Sequence, residues 1–309
     1  MISLKRITLL AGGTGSVKLV RGFSKIDDVE LTIISNVGDN IWLHGLYICP
    51  DLDTILYGLS GLLDTSKGWG VSNDTFDVLD QLNFFGQKTW FNLGDRDLAL
   101  HLVRTNLLNS GISLTDIIAN LSKILGIKEI IIPSSNQPIE TYVETDQGDI
   151  HLQEYWVKHK AKLKVLDVKY KGADNALPSP GVIDSIQSAD KVIICPGNPI
   201  TSILPILAIK NIRSSLVNTS VPVIALSPIL NKTPINGPAG LLMASLNIPV
   251  SSLGVAKLYS DFLNTFIAHT DDFDSSSEIN NIGAKLINTD ILMKSDFDEE
   301  RLARLMLRL

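Results

Sequence analysis

Three aspartates fall in one short stretch, SNVGDNIWLHGLYICPDLDT over residues 35–54: Asp39, Asp51 and Asp53. Asp39 lies just beyond VELTIIS, which reads as a strand, and Asp51 and Asp53 follow Pro50. With the proline taken to keep PDLDT non-helical, residues two apart in an extended chain share a face. Carboxylates gathered at a strand end repel an anionic ligand unless a divalent cation lies between them. Mg²⁺ characteristically takes one or two carboxylates together with phosphate oxygens and water. The expectation is a magnesium-bridged diphosphate. Each acid also has an ordinary reading, Asp51 as the cap of a helix starting near Thr54 and Asp39 as a turn residue.

Loops that could hold the diphosphate recur. AGGTGSVKL, residues 11–19, brings Gly12, Gly13 and Gly15 to the end of an apolar run, with Lys18 one turn later. It lacks the third glycine of a dinucleotide fingerprint, because Lys18 occupies that position, and no G-K-[ST] makes it a P-loop. CPGNPITSI, residues 195–203, offers Gly197, Asn198, Thr201 and Ser202 at a helix start; LSPI (226–229) and INGPAG (235–240) add two more loops. Any one is an ordinary turn. Together, after successive strands, they point to a nucleotide diphosphate on helix N-termini and backbone amides. In NLGDRDLALHLVRT, residues 92–105, Asp97, His101 and Arg104 share one helical face, where a lone histidine more often pairs with its neighbouring aspartate than binds a ligand.

The elements that must position these residues follow from periodicity. LKRITLLAGG, SVKLVRGFSKI and VELTIISN read as strand, helix and strand, a βαβ unit. The rhythm returns in GVIDSIQSA, KVIICPGNP, SILPILAI with NIRSSLVN, VPVIALSPI and AGLLMASLNI. The fold class is therefore α/β, a Rossmann-like, mainly parallel sheet with helices on both faces. Residues 54–126 hold four helical signals with acidic or hydroxyl starts, three of them ending at glycine, and read as a helical insertion between core segments 1–53 and 127–309. PIETYVETDQGDIHLQEYWV alternates about DQGD and predicts a β-hairpin near 140–157; FDEERLARLMLRL predicts an amphipathic helix.

Composition excludes several classes. The 309 residues carry 27 lysines and arginines against 33 acids, a net charge of −6, so no basic footprint for nucleic acid exists. Cys49 and Cys195 are the only cysteines, each before a proline, which fits a reducing cytoplasm and neither a disulfide framework nor a zinc site. No membrane span or cleavable leader is expected. Covalent catalysis has no support, since no nucleophile elbow occurs and neither cysteine has an activating base nearby in sequence.

GGTGSVKL, SNVGDN, PDLDT, GWG, LGDRDLALHLVRT, HLQEYWV, CPGNPITSILPIL, LSPI and GPAG, in this order from residue 6 to beyond 290, resemble the 2-phospho-L-lactate transferase family of coenzyme F-420 biosynthesis. The resemblance implies a homodimeric, Mg²⁺-dependent enzyme. It would move a phospholactyl or phosphoenolpyruvyl group from a guanosine diphosphate ester to the deazaflavin Fo and release GMP. It assigns Asp39 and Asp53 to metal and catalysis. Gly12, Gly13, Thr14, Gly15, Lys18, Asn36, Gly197, Asn198, Pro199, Ser202 and Ser227 would hold the nucleotide. Asp53, Asn92, Asp95 and His101 would hold Fo. Two positions depart from the family pattern: Asn40 stands where a second aspartate is usual, and Asn92 where lysine is usual before LGD.

Two rivals are separable. A non-catalytic regulator similar to the uridine-diphosphate-sugar-binding gluconeogenesis factors shares the glycine loop but needs neither PDLDT nor LGDRDLALHLVRT. An NAD-dependent dehydrogenase is disfavoured by the incomplete fingerprint, and Asp39 follows Gly38 in a loop and not the strand end itself.

Overall fold

The computed structural model describes residues 4–235, 237–272 and 276–309; Asn236 of the INGPAG loop lies outside them. Seven strands build one parallel sheet: β1 (Lys5–Ala11), β2 (Val29–Ser35), β3 (Ile130–Pro133), β4 (Lys191–Ile194), β5 (Val223–Leu226), β6 (Thr265–His269) and β7 (Lys285–Thr289). Their spatial order is β7-β6-β5-β4-β1-β2-β3. From β1 the chain builds outward through β2 to β3, then crosses back and builds the other way from β4 to β7. The order thus reverses between β1 and β4, which pair in parallel from Ile7↔Lys191 to Leu10↔Ile194. A crevice opens at such a switch point, where the loops after the two strands turn to opposite faces. Strands covered on both faces need apolar side chains throughout, and all four residues of β5, VIAL, are buried.

Helix α1 (Thr14–Ser24) follows the glycine loop and buries Val17, Leu19, Val20 and Phe23. The final helix, Asp296–Arg308, crosses it closely: a Cβ on Gly22 would stand 2.2 Å from the Glu299 carbonyl oxygen, and buried Glu299 accepts from both Arg21 Nε and Nη2. This is the amphipathic helix predicted from FDEERLARLMLRL, with Leu302, Ala303 and Met306 inward.

The helical segment begins at Pro50 and not after Asp53. Helix α2 (Pro50–Ser60) takes Pro50 into its first turn, where a proline loses no hydrogen bond, and ends at Gly61 with φ +75°. The extended reading of PDLDT is thereby overturned. Helices α3 (Asp77–Phe84), α4 (Asp95–Asn109) and α5 (Leu114–Ile124) follow as predicted. Leu52, Ile55 and Leu56 of α2 join the same apolar core as the sheet.

The hairpin about DQGD pairs Glu140–Thr145 with Gly148–His151. A third strand, Val165–Lys171, which alternation did not bring out, pairs with it antiparallel. Beyond His151 the predicted strand fails, because Leu152 and Tyr155 both turn inward at helical spacing and the chain coils into the turn Glu154–Lys158. A short hairpin, Ile41–Leu43 with Leu46–Ile48, also went unpredicted; its tight turn uses His44 and Gly45 at φ 51° and 75°.

Candidate active site

A cavity of about 730 Å³ opens at the carboxyl ends of β1, β2 and β4 and extends under the helical segment. Two groups of acids line it.

The first group is Asp39 with Asp51. Asn36, fully buried at the end of β2, turns its Nδ2 toward three oxygens: Asp39 Oδ1 at 3.2 Å, Asp51 Oδ2 at 2.9 Å and the Thr201 carbonyl at 3.0 Å. One amide thus ties the loops after β2 and β4 to the start of α2 across the switch point. Gln153 Nε2 donates to Asp39 Oδ2 at 3.3 Å. Among the described residues every side-chain partner of this pair is a neutral amide. Burial, and the nearby Asp51 charge, hold Asp39 well above the usual carboxylate range. Burial also lifts Asp51 to about 6, against bonds from Asn36 and the Gly13 amide. A desolvated acid pair with no cation among its partners fits a divalent ion.

The second group is Asp53 with Asp97, and here one of the two acids is paired with a cation. Asp53, one residue beyond Leu52, lies about 200° around α2 from Asp51, because each helical residue turns the chain by about 100°. It therefore faces α4 and not Asp39's partner Asp51. Arg104, fully buried, grips Asp53 with Nη2 on Oδ1 and Nη1 on Oδ2, the latter at 3.1 Å. Arg104 Nη1 also lies 3.2 Å from His101 Nδ1. A guanidinium only donates, so Nδ1 accepts and the imidazole proton sits on Nε2, 3.3 Å from Asp97 Oδ1. Tyr57 donates its hydroxyl to the same oxygen at 2.5 Å. Burial pushes Asp97 up, but bonds from His101 and Tyr57 with the Arg104 charge outweigh it and leave the carboxyl below its ordinary value. Among the described residues, Asp53, Asp97 and His101 are the one trio of metal-type ligands within mutual reach. Within this trio Asp53 is already paired with the Arg104 guanidinium.

The remaining predicted residues divide. Gly13, Thr14, Gly15, Lys18, Asn198 and Ser202 line the cavity. Gly12, Asn36, Gly197, Pro199 and Ser227 are not among the residues that line it. A Cβ on Gly12 would meet Ser202 Cβ at 2.3 Å, and one on Gly13 would meet Asp51 Oδ1 at 2.5 Å, so these glycines let three loops close on each other. Ser227 is buried against Ser252 Oγ at 2.8 Å. Asn198 Oδ1 accepts from the Ile200 amide at 3.0 Å and caps the turn Pro199–Ile203. Lys18 Nζ donates to the Met293 carbonyl at 2.8 Å, tying α1 to the segment before the last helix.

On the other side His101 and Asn92 line the cavity, but Asp95 does not. Asp95 accepts from Thr75 Oγ1 at 2.6 Å and from the Asp77 and Val78 amides at 3.0 Å, and so closes the N-terminus of α3; that contact holds its carboxyl below the usual range. Asp97, two residues on, takes the cavity position. Asn40 Nδ2 turns to the Tyr47 hydroxyl at 3.1 Å.

The chain matches the family model described as 2-phospho-L-lactate transferase CofD over residues 7–305. It belongs to that family. The transferases of this family serve coenzyme F-420 biosynthesis, and this chain is one of them. It is similar to the 2-phospho-L-lactate transferase of Methanosarcina mazei, 38% identical over 301 residues that cover 97% of this chain and 99% of that one. It is also similar to the phosphoenolpyruvate transferase of Streptomyces griseus, 38% identical over 295 residues and 93% of each chain. Among solved structures, the protein BH3568 from Bacillus halodurans, titled a member of the UPF0052 family, shares the fold, with a TM-score of 0.68 at 18% identity over 99% of this chain and 100% of that one.

Asp51, which the residues alone offered as the cap of a helix near Thr54, lines the cavity and shares the Asn36 amide with Asp39. The signal was present: a proline that opens a helix sends residues 51 and 53 to opposite faces. Tyr57, one turn after Asp53, was likewise legible as its neighbour once that helix is drawn. Gln153 was not legible, since its strand was expected to run straight through it.

Proposed function

We propose that the protein transfers a phospholactyl, or phosphoenolpyruvyl, group from lactyl-2-diphospho-5′-guanosine, or its enolpyruvyl analogue, to the deazaflavin Fo and releases GMP, as a cytoplasmic Mg²⁺-dependent homodimer. The ribityl hydroxyl oxygen forms a bond to the phosphorus bearing the lactyl group and loses its proton. The bond from that phosphorus to the bridging oxygen breaks, and GMP departs with the electron pair.

One observation carries the reading: the Asp39–Asp51 pair, buried with only neutral partners, lies beside an open helix N-terminus in one cavity. The Thr14 and Gly15 amides at the start of α1 have no acceptor among the described residues, and α1 has no side-chain cap. Those amides donate to the diphosphate and orient it. Asp39 and Asp51 hold Mg²⁺, with Asn36 and Gln153 fixing their carboxylates. When bound, the ion neutralises charge that develops on the bridging and leaving oxygens. Asp53, steadied by Arg104, accepts from the acceptor hydroxyl and aims it. The absence of a lysine at Asn92 leaves that aim to Asp53 and its helix. Both donor names occur among relatives of equal identity, so the two esters are tested side by side.

The test combines the protein, Fo, Mg²⁺ and each guanosine diphosphate ester, and follows GMP. Release of GMP in step with phosphorylated Fo is expected with at least one donor; no release with any of them refutes the proposal.

A further inference from the structure

Thr14 sits in the glycine loop, and its hydroxyl is engaged by a different loop. Thr14 Oγ1 donates to the Gly68 carbonyl at 3.1 Å, so its side chain reaches across to the loop Asp64–Gly70 that follows α2. The two residues are fitted to each other. Gly68 has φ +78°, and a Cβ there would stand 2.7 Å from Thr14 Cγ2. Any larger residue at 68 meets both a strained backbone and the threonine methyl.

The loop has its own internal order. Asp64 Oδ1 accepts from the Ser66 amide at 3.0 Å and the Ser66 hydroxyl at 2.6 Å, and the Gly68 amide donates to the Asp64 carbonyl at 2.8 Å. Lys67 Nζ lies 3.1 Å from Asp64 Oδ2 and 5.5 Å from the ring centres of both Trp69 and Phe76. Lys67 and Trp69 line the cavity, and Trp69 is 38% exposed. The loop is thus a preformed unit that presents a flat ring and an ammonium.

Strand order says which end of the cavity this is. The loops after β4 and β5 lie on one side of the glycine loop. The chain that leaves β2 and runs into α2 and Asp64–Gly70 lies on the other. A nucleotide whose diphosphate spans the β1/β4 crevice leaves the β2 side for the second substrate.

We propose that Thr14 is a positioning residue for the acceptor: its bond to Gly68 holds Lys67 and Trp69 as the wall against which a planar aromatic acceptor docks. The inference rests on the two-substrate reading given under the proposed function. It makes the glycine loop serve both substrates, its amides one and its Thr14 hydroxyl the other.

The test uses Thr14→Val, which keeps the shape and removes the hydroxyl, Thr14→Ser as the conservative rescue, and Gly68→Ala as an independent break from the loop side. Hydrogen exchange across Ser66–Gly70 in the ligand-free full chain should rise in Thr14→Val and Gly68→Ala and return toward wild type in Thr14→Ser. Dissociation constants for Fo should rise roughly fivefold in Thr14→Val, the factor that matches about 1 kcal/mol, while that for guanosine diphosphate stays within about twofold. Unchanged exchange overturns the tether. Raised exchange with unchanged Fo affinity, or a loss that falls on the guanine nucleotide, overturns the acceptor role. If wild type itself releases no GMP and binds no Fo, the functional reading fails and the acceptor role with it, while the exchange data still decide the tether.

Discussion

Asp51 and Asp53 are the same residue type two positions apart on one helix, and their surroundings are opposite. Asp51 meets Asn36, the Gly13 amide and, through Asn36, a second acid; burial lifts it to about 6. Asp53 meets the bidentate Arg104 and the edge of His101. The first is a buried acid kept short of positive charge, and the second is a closed ion-pair network. The division runs between neighbours: the Asp39–Asp51 pair, proposed to receive a cation, has only neutral side-chain partners, and Asp53 beside it is paired with a buried guanidinium. A buried ion pair adds little net stability, but breaking it strands a charge.

The largest expected effect comes from breaking the closed side. Asp53→Asn removes the carboxylate that the buried Arg104 guanidinium grips and should cost about 3–5 kcal/mol in urea unfolding, whatever it does to turnover. A loss below about 1 kcal/mol would mean that Arg104 finds another partner or water, and the contrast between the two clusters would dissolve.

On the open side the effect should appear in catalysis and not in folding. Asp39→Asn and Asp51→Asn are each expected to lower GMP release roughly a hundredfold or more, while ligand-free stability at pH 7 stays equal or improves, since each removes a desolvated charge. Turnover within about threefold of wild type would remove the pair from the proposed ion site.

The third expectation concerns pH and magnesium. The folded chain holds the Asp51 proton more tightly than the unfolded chain, where the group returns to its ordinary value of 3.8. Stability from this group therefore falls as pH rises from about 3.8 to about 6 and is level above that. Ligand-free wild type should gain about 1 kcal/mol relative to Asp51→Asn between pH 7 and pH 5. Magnesium at about a hundred times its dissociation constant should stabilise wild type by about 2.7 kcal/mol at pH 7.5 and stabilise neither Asp39→Asn nor Asp51→Asn. Equal melting shifts in all three proteins would place the ion elsewhere.

The smallest effect sharpens the closed side. Tyr57→Phe deletes one donor to Asp97 while His101 remains, and thermal unfolding should show a loss of about 1 kcal/mol. A loss as large as that of Asp53→Asn would show that the network fails as a unit.

Much of this architecture could be read along the chain. An aliphatic run such as VIAL, buried at all four residues, suits a strand covered on both faces, and the serine and proline after it mark where the run must stop. The parallel core, the four helices between Pro50 and Ile124, the hairpin about Gly148 and the terminal helix all follow from periods of two and 3.6. Lys18, Asn198, Ser202, Asp39 and Asp53 stand in or near the loops after apparent strands, His101 shares a helical face with Asp97 and Arg104, and all of these but Arg104 line the cavity.

Only the folded chain decided who meets whom. Periodicity carries no information on pairs 165 positions apart, as Asn36 and Thr201, or 51 apart, as Asp53 and Arg104, which the crossover from β3 to β4 and the placement of α2 beside α4 bring to hydrogen-bond distance. The same cause turned Asp95 from the cavity to the start of α3 and set Asp39 beside Asp51. Sequence determined the elements and the chemical types at their ends, because local propensity and burial act over a few residues. Tertiary structure alone determined which acid was left without a counter-charge, because electrostatic compensation depends on neighbours in space.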